Sequence, residues 1–433
     1  MPGSKLTGEV TIPDAVFSGL GKKVKNISSF RESVEGLLKE ETTELLESLL
    51  GGGMLLGASD LHIEPESGSA KLRARVDGIL QDVMPLDPKI YKSVLSRIKL
   101  LSGLKLNITD RPQDGRFSII LKDLTIEIRA STLPAEFGES IVLRILNPKN
   151  LIEIGALGLR KDLLETFQKE VKRPNGMIIV TGPTGSGKTT TLYAFLKKIQ
   201  RPEIKVITIE DPIEYHLKGI SQTQVVPEKG YDFAKGLRSI MRQDPDVVLV
   251  GEIRDLETAK IALQAALTGH LVLTTLHTND AAGTVARLQA LGEKSANIAS
   301  GINIAIAQRL VRKVCKKCAI LSVISPSLLI KIKKELKNLP KRTDVPSLKS
   351  SLKVAKGKGC KVCNSTGYKG RVGIFETFLI DEEMERFILT SPSTSALQKK
   401  AVKKGMVTMR QDGLIKVLQR VTTIEEVDRV SDE

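Results

Sequence analysis

The stretch "GMIIVTGPTGSGKTTTLYAFLKKI", Gly176 to Ile199, decides the fold. Its first residues, Gly176 to Thr181, are nearly all apolar, a run short enough for a buried strand. A turn rich in glycine follows, and Lys188 then opens a longer segment that reads as a helix. Strand, glycine turn and helix in that order gather backbone N–H groups and the positive end of a helix around one small volume, the physical recipe for holding phosphate. Gly182, Gly187, Lys188 and Thr189 complete the G-x-x-x-x-G-K-[ST] (Walker A) pattern. The spacing predicts that Gly182, Pro183, Thr184, Gly185, Ser186, Gly187, Lys188, Thr189 and Thr190 wrap the phosphates of ATP. Lys188 reaches the β- and γ-oxygens, and the Thr189 hydroxyl binds Mg²⁺.

Working outward, "KVITIEDP", "PDVVLVGEIRD" and "HLVLTTLHTND" are further short apolar runs, each ending in polar residues. Apolar strands separated by helical stretches predict a parallel sheet covered on both faces. The polar residues then fall at the carboxyl ends of the strands, where open α/β sheets bind ligands. P-loop enzymes commonly carry a metal-holding Asp at the end of the second acidic strand. Here Gly251 takes that place and Glu252 follows, so Glu252 is read as the group that polarises an attacking water. Glu210 supports the metal or the water. Asp211 and Glu214 read equally well as carboxylates capping a turn. Four histidines stand at 62, 216, 270 and 277. His270 and His277 lie at opposite ends of one strand, and His277 at the phosphate end contacts the γ-phosphate or Glu252. Charge gathering on a transferred phosphoryl group calls for arginines. Arg238 and Arg242, four apart on one helical face, are candidates. Arg116 and Arg129 lie outside the nucleotide region, and composition alone assigns them to surface ion pairs.

A chain of 433 residues is long enough for two or three domains. Residues 1–39 are polar with scattered Gly and Pro and read as a flexible arm. Amphipathic spacing and alternating strands over 40–148 predict a compact α+β domain. The nucleotide core spans 149–311, a four-cysteine subdomain 312–366, and a helical part of the ATPase domain 367–433. Aromatics are only 3% and Trp is absent, which argues against a surface that grips single-stranded nucleic acid by stacking. Lys and Arg number 66 against 50 Asp and Glu, a net +16. Most of the excess lies between Arg312 and Gly359, with 14 basic and 2 acidic residues. No run approaches the roughly 20 apolar residues that span a bilayer, and the N-terminus lacks an export pattern. These features point to a cytoplasmic protein able to dock at a membrane. Cys315, Cys318, Cys360 and Cys363 form two CxxC pairs, 41 residues apart from Cys318 to Cys360 as intervening chain, and four thiolates complete a closed, structural Zn²⁺ site. No thioredoxin-like pattern surrounds either pair.

Read in order, "GASDLHIEP", "RVDG", "PQDGRF", "GESIVLRIL", "GPTGSGKTT", "ITIEDPIEY", "LRSIMRQDPDVVLVGEIRD", "TGHLVLTTLHTNDA", the two CxxC pairs and "GYKGRVGIFE" resemble the ATPases of type II secretion and type IV pilus assembly, the GspE/PilB group. The resemblance runs from about residue 40 to 415. It implies a RecA-like P-loop domain with a mostly parallel sheet, preceded by a smaller α+β, PAS-like domain and carrying a four-Cys zinc-binding insertion. It implies a homo-hexamer at the cytoplasmic face of the bacterial inner membrane, working on a polytopic platform protein and recruited by a membrane protein. Relatives often carry a further N-terminal domain for that recruitment, and here a short arm precedes the matched region. By family position Arg116 and Arg129 reach the γ-phosphate, and Arg238 and Arg242 are ring-interface arginines. The paired cysteines favour the assembly and secretion branch over the retraction branch. Two other readings differ in class: a ring ATPase that translocates or transfers DNA, suggested by the charge, and a zinc-scaffolded binding module switched by nucleotide.

Overall fold

The computed structural model describes residues 8–122 and 124–431. Its contacts divide into two units. The first contains β1 (Glu9–Thr11), α1 (Asp14–Lys23), α2 (Ile27–Glu35), α3 (Thr42–Leu56), β2 (Ala58–Glu66), β3 (Ser69–Val76), β4 (Ile79–Leu86), α4 (Pro88–Leu101), β5 (Gln113–Leu121), β6 (Leu124–Ala135) and β7 (Gly138–Leu146). Period-two alternation sets the sheet. Ala70, Leu72, Ala74 and Val76 of β3 are buried while the residues between them are half-exposed. The strands order β1-β5-β6-β7-β2-β3-β4. β1 runs parallel to β5, and the remaining pairs are antiparallel.

Residues 1–39, expected as a loose arm, are corrected over 9–35, which form β1, α1 and α2. Val10, Ile12, Leu20, Val24, Phe30 and Val34 join the same buried core as the sheet. The reason lies in α3, where Gly51, Gly52 and Gly53 open a recess. A Cβ on Gly52 would stand 2.3 Å from the Phe30 ring, and one on Gly51 would stand 3.0 Å from Leu20. Interior helical glycines cost roughly 1 kcal/mol each, and here that cost admits two large apolar side chains. Residues 1–7 lie outside the described residues.

The second unit contains α5 (Lys161–Glu170), β8 (Gly176–Thr181), α6 (Lys188–Ile199), β9 (Val206–Glu210), β10 (Ser221–Gln224), α7 (Phe233–Met241), β11 (Val247–Val250), α8 (Leu256–Leu267), β12 (Leu271–Leu276), α9 (Gly283–Ala290), α10 (Ser295–Gly301) and β13 (Ile302–Val314). It continues through β14 (Ala319–Val323), α11 (Pro326–Glu335), β15 (Lys353–Gly357), β16 (Tyr368–Leu379), α12 (Glu382–Leu389), α13 (Thr394–Lys403), α14 (Met409–Leu418) and α15 (Ile424–Ser431). Seven strands order β10-β9-β11-β12-β8-β13-β16. β10 to β9, β9 to β11, β11 to β12, β12 to β8 and β8 to β13 are all parallel. Every residue of β8, β11 and β12 is buried, as strands covered on both faces must be. Residues 367–433, expected to be helical, also add β16 beside β13. Behind β16 the fully buried Asp412 accepts hydrogen bonds from Arg160 at 2.6 Å, Lys416 at 2.7 Å and the Phe375 amide at 2.8 Å.

The segment 312–366 is not one subdomain. Cys315–Cys318 and Gly357–Lys369 group with the first unit, where the Ile27 amide donates to Asn364 Oδ1 at 2.8 Å. The intervening residues group with the second unit, because Ile324, Leu329, Ile332 and Leu336 share a core with Leu414, Ile415 and Leu418. No helix among the described residues is long and apolar enough to cross a membrane.

Candidate nucleotide-binding site and thiol centre

The central strand β8 delivers the chain into the glycine loop. Gly182, Gly185 and Gly187 all have positive φ, at 144°, 80° and 87°. At Gly182 a Cβ would also lie 2.4 Å from the Gln308 carbonyl oxygen, so both conformation and space demand glycine there. Lys188, at the start of α6, donates from Nζ to the Gly182 carbonyl at 2.8 Å and the Pro183 carbonyl at 3.2 Å. Its ammonium therefore lies over the loop. Burial lowers its pKa, while the Glu252 and Glu214 carboxylates favour its charged form. Thr189 and Thr190 follow in the first turn of α6, half-buried. The Ser186 hydroxyl is buried with no hydrogen-bond partner among the described residues. An orphan donor inside a loop of backbone N–H groups fits an anion, since a buried polar group left unmatched is costly. Pro183, Thr184 and Gly185 form the exposed lip of the loop.

The sheet brings three predicted carboxylate and histidine positions to the same edge. Glu252 follows β11, Glu210 ends β9 and His277 follows β12. Glu252 Oε2 lies 3.2 Å from His277 Nε2, and its other oxygen accepts from Arg254. Its side chain is 17% exposed and that of His277 is 52% exposed, so the pair faces outward from the strand ends. The Thr275 hydroxyl donates to the Gly251 carbonyl at 2.7 Å, fixing the turn that carries Glu252. Glu210 is different. It is buried and accepts from Tyr193, from Thr208 at 2.6 Å and from Gln222 at 3.1 Å. Burial and then the Glu210 carboxylate raise the Tyr193 phenol pKa. Glu210 thus ties β9 to α6 and β10.

Arg238 and Arg242 lie at the exposed end of α7. Arg238 pairs with Glu257, and Arg242 donates to the Arg238 carbonyl and to Ser239, both at 3.2 Å. Arg116 and Arg129 belong to the first unit and stand directly opposite each other on β5 and β6. Arg129 is 3.4 Å from Glu127. His270 closes the far end of β12, 3.1 Å from the Ala265 carbonyl.

Two residues beyond the sequence reading complete the site. Gln308 on β13 is buried, accepts from Thr191 at 2.6 Å and donates to the Ser186 carbonyl at 2.9 Å, so it clamps loop and helix together. Arg254 bridges Glu252 and Asp211, at 3.5 Å from the latter. No local signal marks Gln308, whose partners are 117 and 122 residues away. Arg254 stands two residues after Glu252 and was legible only as part of the string "GEIRD".

In the first unit the four cysteine sulfurs all lie within 4.8 Å of one another. Cys363 Sγ is 3.8 Å from Cys318 Sγ and 3.7 Å from Cys360 Sγ. A tetrahedron with ~2.3 Å metal–sulfur bonds has edges of about 3.8 Å. Although burial acts to raise it, hydrogen bonds with the Cys360 and Gly367 backbone bring the Cys363 thiol down to about 7. The donor set and spacing fit Zn²⁺ with no open coordination position.

A family model described as "Type II/IV secretion system protein" matches residues 38–429. The chain is 42% identical to the type II secretion system ATPase E of Vibrio cholerae, across 92% of this chain and 78% of that protein. It is 41% identical to the type IV pilus assembly ATPase PilB of Thermus thermophilus, across 89% of this chain and 42% of that protein. Among solved structures, the pilus retraction motor PilT with bound ADP aligns over 89% of this chain and 96% of that one, with a TM-score of 0.59 at 27% identity. The ATPase DotB of Legionella pneumophila aligns over 89% of this chain and 94% of that one, with a TM-score of 0.63 at 23% identity, a likeness of fold.

Proposed function

This chain is an ATPase of the type II/IV secretion system protein family, and from that premise we propose that it works as a hexameric ring at the cytoplasmic face of a bacterial inner membrane. Each ring converts ATP hydrolysis into movement of a polytopic platform protein, for type IV pilus assembly or type II secretion. The observation that carries this reading is Glu252, held at a strand end between His277 and Arg254 while its charge acts on Lys188.

In the proposed cycle the loop amides and Lys188 bind the β- and γ-phosphates, and the Thr189 hydroxyl helps hold Mg²⁺, which supplies charge neutralisation on those oxygens. Glu252 accepts a proton from the attacking water. His277 aligns Glu252 through Oε2 and senses the γ-phosphate beside it. Glu210 keeps its strand end in place. Arg116 and Arg129 supply positive charge to the γ-phosphate, and Arg238 and Arg242 act at the subunit boundary. Cys315, Cys318, Cys360 and Cys363 hold Zn²⁺ as a structural ion.

The test is ATP turnover against protein concentration, with oligomer mass recorded, for wild type, Glu252→Gln and Arg129→Ala. The expected result is turnover that rises cooperatively with hexamer formation and vanishes in both variants. Turnover in the monomer, or indifferent to Arg129, overturns the ring reading. Turnover stimulated by duplex DNA would favour a DNA-translocating ring instead.

A further inference from the structure

The segment between the cysteine pairs has chemistry that nucleotide hydrolysis does not use. Residues 319–356 carry nine exposed Lys and Arg side chains, among them Lys331, Lys333, Lys334, Lys337, Lys353 and Lys356. None of the nine has an ion-pair partner among the described residues. One of the segment's two acids, Glu335, is engaged by Arg410 at 2.7 Å. Elsewhere in the same unit lysines are matched, as where Lys400 and Lys404 both pair with Glu383. The positive charge of the segment is therefore left to solvent.

Large aliphatic side chains stand among these cations. Ile320, Leu321 and Val323 of β14 are 48%, 49% and 58% exposed, and Ile330 of α11 is 68% exposed. Helix α11 is two-sided. Leu329 and Ile332 enter the core with α14, while Ile330 shares its outer face with Lys333 and Lys334 at the i+3 and i+4 positions, and Lys337 follows in the turn after the helix. β14 is one strand of a two-stranded sheet with β15, so its outer edge is unpaired, and all five of its residues are exposed.

We propose that this β14–α11 element adsorbs to an anionic lipid surface, its aliphatic side chains entering the headgroup boundary while the lysines snorkel to the phosphates. The proposal rests on the membrane-peripheral function above and deepens it. Lysine-rich surfaces with interspersed aliphatics suit a diffuse negative potential. An acidic protein partner fits less well. Protein hot spots favour Tyr, Trp and Arg, whereas residues 313–359 contain no aromatic side chain and Arg342 as their one arginine. Arginine, not lysine, is suited to bidentate carboxylate pairing.

The experiment is sedimentation of the full chain with phosphatidylcholine vesicles and with vesicles that also contain phosphatidylglycerol. Wild type is expected to bind the anionic vesicles and to be released near 1 M salt, where the screening length is ~3 Å. Each neutralised lysine is expected to lower partitioning about fivefold. Thus the Lys331→Gln, Lys333→Gln, Lys334→Gln, Lys337→Gln variant falls by more than about a hundredfold. A second variant, Ile320→Ser, Leu321→Ser, Val323→Ser, Ile330→Ser, keeps its salt dependence but binds more weakly. Soluble ATP turnover reports folding of both variants and tests the enzyme separately. Absence of vesicle binding, equal binding to neutral vesicles, or binding unchanged in both variants overturns the proposal. Preference of this face for an acidic protein or for duplex DNA over vesicles also overturns it.

Discussion

Glu252 has both carboxylate oxygens engaged, one by Arg254 and one by His277 at 3.2 Å. A carboxylate offers about four lone-pair sites, so Glu252 can accept from the attacking water while both contacts hold it in place. Glu252→Gln is expected to keep nucleotide affinity while turnover falls by a factor on the order of 10²–10⁴. Lys188→Ala is expected to lose affinity itself. Equilibrium binding of a fluorescent nucleotide beside steady-state turnover checks both, and equal loss of binding would assign Glu252 a structural role. Gln308→Ala removes two hydrogen bonds that hold the loop, each worth about 1 kcal/mol. The expected outcome is a several-fold higher KM with kcat little changed, read from a substrate titration. The loop glycines, Lys188, Glu252 and His277 were legible because strand, turn and helix order them locally. Gln308 was not, because a single polar residue in the apolar run "INIAIAQRLV" acquires its partners only when β13 pairs with β8.

At the scale of elements, the parallel strands of the nucleotide unit could be read from their apolar runs, since burial on both faces leaves little else for those segments to be. Helices α1 and α2 could not, because sparse apolar residues such as Leu20 and Phe30 look like an arm until the glycines of α3 make room for them. The same long-range logic joins the thiol centre to α2 through Asn364. Removing the proposed Zn²⁺, or making Cys315→Ser with Cys360→Ser, is expected to raise hydrogen exchange over residues 357–369 and in the first turn of α2, with nucleotide affinity retained. Unchanged exchange there would separate the thiol centre from the stability of α2. Glu426 gives α15 a pH signature. Burial acts to raise its pKa, yet hydrogen bonds from Arg312 and Arg429 bring the carboxyl down to about 2. A folded pKa below the unfolded one, about 4.3, gives stability that is present above that unfolded value. It is lost as pH falls towards 2, to an extent on the order of 2–3 kcal/mol. Protection of α15 amides, corrected for intrinsic exchange, should therefore fall across that interval in wild type. In Glu426→Gln it should already be low at neutral pH and change little.

For the whole molecule, the decisive property is whether one subunit's nucleotide site depends on its neighbours. Arg116 and Arg129 lie opposite each other across β5 and β6, and Glu127, 3.4 Å from Arg129, offsets part of the repulsion between like charges at such a pair. In the proposed ring these two arginines carry positive charge to a γ-phosphate. Sites completed in this way work together, so a subunit that binds ATP without cleaving it should stall more than itself. Mixing wild type with increasing shares of Glu252→Gln at fixed total protein tests this. Independent subunits would lose turnover in proportion, leaving about half at equal mixing. A fully coordinated ring would leave only a few per cent, because nearly every hexamer would contain a blocked site. Mixing with Lys188→Ala, which leaves its site without nucleotide, is expected to poison less steeply. A linear decline in both series would mean that the subunits fire independently, and the coupling from one site to the next would have to be abandoned.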